Sequence, residues 1–250
     1  VKVVADGSAY AGDSAESRGG PVRVEVARIV NEMNGVRSIA LEVPREEGER
    51  FEYRPGNAIT VLAPARGTER PTRRFFLSSS PDSDREVQIL VEPRTDCAVA
   101  QYLLGGVAVG DLIDVLPPAG SFTPSNLDVD LVMFAEGTGI APVISMTKSV
   151  LAAGSGAVVL IYANPSAEHV VFRRELQFLS EDHPDRLTVL HVLENLQGML
   201  DAAQYAALAR PFRDRQAFVC GAGRFTKTVV DALREVGVPA ASIHSELSSQ

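Results

Sequence analysis

Between residues 22 and 122 the apolar positions alternate with polar ones in short runs, VRVEVARIV, RSIALEV, AITVLA, RRFFLSS, VQILVE and DLIDVLP. Successive side chains of a strand point to opposite faces, so a period of two predicts half-buried strands. Turn clusters such as NEMNG, YRPGN and SPDSD separate the runs. Six β-branched-rich segments at this spacing predict a small antiparallel barrel or sandwich. One stretch breaks the alternation: residues 98–104, closed by Gly105-Gly106, predict a short helix with a glycine stop.

Beyond Pro124 the period changes. Continuous apolar runs at 131–135, 157–162, 187–192 and 217–220 alternate with helical patterns in which Val143, Met146 and Val150, or Val229, Leu233 and Val236, recur at three and four. Buried strands alternating with amphipathic helices predict a doubly wound parallel α/β sheet. The switch falls near residues 123–130, giving a barrel domain over 22–124 and an α/β domain over 125–250. Residues 1–21, rich in Gly, Ala, Ser and acids, predict a flexible tail.

Composition narrows the function classes. The chain has 250 residues, 45% of them hydrophobic, enough for one large or two ordinary domains with ample core. Its formal charge of −8 argues against nucleic acid and anionic membranes as partners, because both are bound largely through Lys and Arg. No apolar run approaches the roughly 18 residues of a membrane span, and the N-terminus lacks the order of a secretory signal. A cytoplasmic location without membrane insertion is expected. The two cysteines, Cys97 and Cys220, lie far apart, and His169, His183, His191 and His244 show no ligand spacing with either, so no metal is expected.

Three stretches carry candidate chemistry. Gly137-Thr138-Gly139-Ile140-Ala141-Pro142 follows a predicted strand and opens a helix, where free N–H groups and the positive dipole end suit a phosphate. A turn that needs only positive φ would look the same. Arg73-Arg74-Phe75-Phe76-Leu77-Ser78-Ser79-Ser80-Pro81 joins guanidinium groups for phosphates to aromatics that could stack on a flat ring, or is a core strand with an exposed arginine pair. Cys220-Gly221-Ala222-Gly223 ends a buried strand at the edge where α/β sheets bind ligands, though a structural cysteine fits equally well.

In chain order, Tyr53-Arg54-Pro55-Gly56-Asn57, RRFFLSSSP, Pro118-Ala119-Gly120-Ser121-Phe122, EGTGIAP, YAN before Phe172-Arg173-Arg174-Glu175-Leu176, Cys220-Gly221 and Ile243-His244-Ser245-Glu246 resemble the landmarks of the ferredoxin–NADP reductase superfamily. Reductase components of bacterial oxygenases, such as those serving ketosteroid and phenylacetyl-CoA oxygenation, look most similar. The resemblance spans roughly residues 22–246. It implies an FAD-binding β-barrel and an NAD(P)H-binding α/β domain, with hydride passing from nicotinamide C4 to flavin N5 and electrons leaving to a separate acceptor protein or small molecule.

Carried over by position, the resemblance gives Arg73 the FAD pyrophosphate and Phe75 the place of a flavin-side tyrosine. Phe76, Leu77 and Ser78 follow along the flavin, and Cys97, Ala98 and Val99 form the pyrophosphate turn. Gly137, Thr138, Gly139 and Pro142 would hold the nicotinamide nucleotide together with Gly221. Cys220 and Glu246 would stand near the nicotinamide–flavin contact.

Departures from the family pattern cluster at the cofactors. Phe76 stands where a Ser or Thr usually bonds the flavin, Asp96 and Ala100 fall in the pyrophosphate turn, and Glu136 replaces a glycine. Asn164-Pro165 stands where relatives show Asn-Arg. Without that guanidinium for a 2′-phosphate the sequence leans to NADH over NADPH, with Arg173 or Arg174 able to reverse it. Two functions follow as expectations. One is an FAD-dependent NAD(P)H oxidoreductase; the alternative is a repurposed member of the same fold acting as a non-redox enzyme or binding module, since fold does not fix function.

Overall fold

The computed structural model describes residues 2–4, 19–65 and 67–248, and the chain divides into two units, Val1–Thr123 and Pro124–Gln250. Most of the predicted tail, residues 1 and 5–18, lies outside the described residues. Lys2–Val4 depart from that reading: they form a strand, β1, parallel to residues 69–71. A short run with two valines satisfies the backbone groups on an otherwise open ladder.

The first unit continues with β2 (Val22–Asn31), β3 (Arg37–Glu42), β4 (Ala58–Leu62), β5 (Glu69–Phe76), β6 (Val87–Val91), the helix α1 (Ala98–Gly105) and β7 (Leu112–Ala119). The sheet order is β1-β5-β4-β7-β2-β3-β6. Beyond Phe76 the chain leaves β4 and crosses to β6. Leu77 bridges Ile89, and the Ser78 N–H donates to the Gln88 carbonyl at 2.8 Å. This seam closes the antiparallel strands into a barrel, which leaves β5 and β6 without a free edge there. Val24, Ile39, Ile59, Val61, Ile89 and Val115 point inward and are wholly buried, as the period-two pattern requires.

The second unit is a parallel sheet of β8 (Leu131–Glu136), β9 (Val158–Asn164), β10 (Leu187–Leu193), β11 (Gln216–Gly221) and β12 (Ile243–Leu247), ordered β10-β9-β8-β11-β12. Its helices are α2 (Ile140–Ala153), α3 (Arg173–Asp182), α4 (Glu194–Gln197), α5 (Ala202–Ala209) and α6 (Gly223–Glu235). Every residue of β9 is buried, the mark of an inner strand covered on both faces. The strand order reverses between β8 and β11, which makes their carboxyl ends the topological switch point where open α/β sheets bind ligands. Among the described residues no helix is long and apolar enough to cross a membrane.

Candidate functional site

At the switch point β8 runs straight into a single tight turn, Gly137–Gly139, and then into α2. Gly137 holds φ +53, a conformation that favours glycine. A Cβ on Gly139 would lie 2.3 Å from the Cys220 carbonyl oxygen. Only glycine permits that backbone-to-backbone approach, so the turn and the end of β11 form one site. No side chain caps α2, and Pro142 sits in its first turn, where a missing N–H is harmless. The Tyr162 hydroxyl donates to the Gly137 carbonyl at 3.0 Å and anchors the turn from β9.

The other residues assigned by resemblance to this half gather here as well. Cys220 is fully buried and level with Ala135 of β8 on one side and Glu246 of β12 on the other. Thr138 is half-buried within the turn, and Gly221 packs against Phe225 and Glu136. Asn164, at the end of β9, is wholly buried, and neither of its amide atoms has a hydrogen-bond partner among the described residues.

Glu136 turns to the opposite face of the sheet. There a cavity of about 310 Å³ is lined by Glu136, Glu194, Tyr205, Arg224 and Phe225 among others. Glu136 Oε2 accepts from the Ala222 N–H at 2.9 Å, at the start of α6. Burial pushes the Glu136 carboxyl above its ordinary value; the Ala222 bond pulls it back, and the field of Glu194 adds to the rise. Tyr205 meets Phe225 edge-on, with ring centroids 5.7 Å apart. Asp201, also in the lining, is engaged as the N-cap of α5, where it accepts from the Gln204 N–H at 2.9 Å. Sequence reasoning singled out Glu136 but missed Tyr205 and Glu194. Tyr205 lies among the apolar residues of α5 and reads as core, and Glu194 carries no local signal.

In the barrel unit, register separates the two arginines. Arg73 pairs with Val61 and Phe75 with Ile59, so both stand on the inward side; Arg74 pairs with Thr60 and Phe76 with Ala58, on the outer side. The Arg73 guanidinium lies 5.7 Å from the Phe75 ring centre. Phe75 and Leu77 fill the barrel core, and Ser78, also wholly buried, turns its hydroxyl to the Gln88 carbonyl at 3.3 Å. Phe76 belongs to the other face, tilted against Phe122 at 5.9 Å with the Arg74 guanidinium 5.0 Å over its ring.

The turn before α1 is held from within. Cys97 is the N-cap, its Sγ accepting from the Ala100 N–H at 3.4 Å, while Ala98 and the buried Val99 open the helix. Arg94 grips Asp96 through two parallel hydrogen bonds of 3.0 and 2.8 Å. That fork, more than the weaker field of Arg73, holds the Asp96 carboxyl below its ordinary value.

The family model for the oxidoreductase NAD-binding domain matches residues 133–231. The chain is 43% identical over 226 residues to the ferredoxin reductase component of 3-ketosteroid-9-alpha-monooxygenase from Rhodococcus rhodochrous, across 90% of this chain and 64% of that protein. It is 40% identical over 229 residues to the same component from Mycolicibacterium smegmatis, across 90% of this chain and 65% of that one. The chain thus spans a little under two thirds of the length of these relatives. Among solved structures, the FAD/NAD-binding domain of a Vibrio cholerae nitric oxide dioxygenase shares the fold at a TM-score of 0.73 and 24% identity, covering 92% of this chain and 99% of that one. Ferredoxin–NADP⁺ reductase from Plasmodium falciparum does so at 0.74 and 17% identity, covering 91% and 96%. A closed antiparallel barrel followed by a glycine-turn α/β sheet is the fold of these solved structures, and in sequence the chain is similar to the ferredoxin reductase components over a little under two thirds of their length.

Proposed function

We propose that this protein is an FAD-dependent NAD(P)H oxidoreductase that passes electrons to a separate acceptor. The observation that carries the reading is the approach of Gly139 to the Cys220 carbonyl, which sets an uncapped helix start beside the end of β11 at the switch point. Free N–H groups and the positive end of α2 fit a dinucleotide's pyrophosphate. Cys220 and Glu246, level on neighbouring strands, would border the nicotinamide.

The barrel residues fit the flavin's diphosphate, because Arg73 faces the side of α1 and the charge of Asp96 is already balanced by Arg94. Leu77 and Ser78, whose side chains are buried and whose N–H groups donate to the Asn57 and Gln88 carbonyls, would serve by fixing the strand that carries Arg73. FAD held there would supply hydride acceptance from the nicotinamide and release of electrons one or two at a time. Each unit's part is to hold and orient its own ring and keep water from it.

Four acidic residues line that cavity, Glu136, Glu194, Asp201 and Asp231, against the one guanidinium of Arg224, which favours NADH, since a 2′-phosphate would meet net negative charge there. The likeness to ketosteroid monooxygenase reductase components supports an oxygenase as the acceptor. A cytoplasmic setting, where nicotinamide nucleotides are supplied, completes the reading. Protein reconstituted with FAD is mixed anaerobically with NADH or NADPH while the flavin's visible absorbance is followed. Bleaching, faster with NADH, is expected; no bleaching with either nucleotide overturns the proposal.

A further inference from the structure

The last residue of β9, Asn164, has a fully buried side chain, and neither Oδ1 nor Nδ2 has a hydrogen-bond partner among the described residues. A carboxamide offers an acceptor oxygen and two N–H donors, and buried groups of this kind are nearly always satisfied. The same chain shows what a structural asparagine does. Asn57 donates from Nδ2 to the Gly120 carbonyl at 2.8 Å and accepts at Oδ1 from the Arg54 N–H at 2.9 Å, tying a turn to the end of β7. The Asn164 side chain ties nothing among the described residues.

Its position points to the reason. Ala163 is level with Glu136, so Asn164 is level with Gly137, at the carboxyl edge of the sheet. It shares a strand face with Tyr162, two residues earlier, whose hydroxyl reaches the Gly137 carbonyl. The amide therefore stands beside the glycine turn and the uncapped start of α2. The connection leaving it holds a second costly feature: Phe172, just before α3, adopts φ +58 and ψ 23, a left-handed conformation rare for a bulky side chain. Unsatisfied polar groups and strained backbone collect where a ligand will act.

We propose that Asn164 is a nucleotide-binding residue, its carboxamide pairing with a group on the bound dinucleotide that both donates and accepts a hydrogen bond. A phosphate oxygen could take only Nδ2–H and would leave Oδ1 unsatisfied. A ribose hydroxyl or the nicotinamide carboxamide satisfies both atoms. The inference rests on the nicotinamide-nucleotide reading above and adds to it a residue that holds an unfavourable state until ligand arrives.

The test is calorimetric titration of NAD⁺ and of ADP-ribose into the wild type and Asn164→Leu, with Tm measured for each protein without nucleotide. Removing a polar group that has no partner should leave Tm unchanged or raise it, while NAD⁺ affinity falls about tenfold or more. An equal loss for ADP-ribose assigns the partner to a ribose hydroxyl; a loss for NAD⁺ alone assigns it to the nicotinamide carboxamide. Unchanged NAD⁺ affinity, or a lowered Tm with affinity retained, overturns the role of Asn164 and leaves the nucleotide reading intact. A wild type that binds neither ligand overturns both. Should leucine fail to pack, Asn164→Ser provides the same comparison: it keeps one donor and acceptor, so its affinity should be lowered, and wild-type affinity in this variant overturns the assignment.

Discussion

In the α/β unit the groups placed to meet a ligand stand open: α2 begins without a side-chain cap, the Asn164 amide is unpaired among the described residues, and the space where Gly137 would carry a Cβ is empty. In the barrel unit the corresponding groups are engaged with one another. Asp96 is gripped by Arg94, the Cys97 sulfur takes the Ala100 N–H, and Phe76 packs between Phe122 and Arg74. On the nucleotide side the Asn164 amide is left unsatisfied, whereas on the flavin side Asp96, Cys97 and Phe76 are engaged internally. Binding on one side should release strain, and on the other should require exchange of existing contacts.

The largest effect expected from this contrast is at Gly139. A methyl there meets backbone, which cannot rotate away, so Gly139→Ala should cost about 3 kcal/mol of stability in urea denaturation and abolish NAD⁺ binding in titration. Wild-type affinity in that variant would break the picture of a turn pressed onto β11.

On the barrel side, Arg73→Ala should weaken FAD retention roughly tenfold or more, as loss of a charged hydrogen bond does. Arg74→Ala, on the opposite face, should chiefly remove a cation–ring contact worth about 1 kcal/mol, seen in Tm. Equal loss of FAD from both, measured after gel filtration, would reject the register.

Phe76→Ser sharpens the comparison by opening the closed half. Its loss of packing against Phe122 should lower stability by about 2–3 kcal/mol, yet raise FAD occupancy or the rate of flavin reduction in stopped flow. A fast wild type left unchanged or slowed by the substitution would show that Phe76 is no obstruction.

The smallest effect concerns Glu136. Its folded carboxyl titrates above the ordinary glutamate value, chiefly through burial, so folding favours the protonated form. That contribution is complete below the unfolded value and is lost as pH rises through the raised folded one. Glu136→Gln should flatten the decline in Tm over that window and narrow the NADH preference roughly threefold. A Tm profile identical to wild type would remove Glu136 from the account.

The barrel was legible because inward Val and Ile alternate with outward, mostly polar residues along β2 and β7, and short β-branched runs mark β3, β4 and β6. The inner strands of the second unit were legible as continuous apolar runs, but the edge strand β12 was not. Its sequence, IHSEL, has only partly buried or exposed positions, so hydropathy alone gives no sign of it. Lys2–Val4 were hidden for a similar reason, three residues being too few to show a period. At the site, the Gly137–Gly139 turn and Cys220 were readable because each lies at a strand's end, a local feature. Which neighbour among Phe75 and Phe76 faces inward depends on a one-residue register, which only the pairing with Ile59 and Ala58 fixes. Asn164 was noted only as part of the YAN landmark and for the proline after it. Its significance lies in bonds it does not make, and no sequence pattern records those.

The seam at Leu77 has a mechanical consequence. Up to Phe76 the strand is laced to β4, and from Leu77 onward it is laced to β6. A slip of one residue along β4 would drag the same slip along β6, inverting every side chain in two ladders at once. The segment that carries Arg73 to Ser78 is therefore locked like a belt threaded through two buckles, and can yield to an incoming ring only by tilting side chains, never by sliding its backbone.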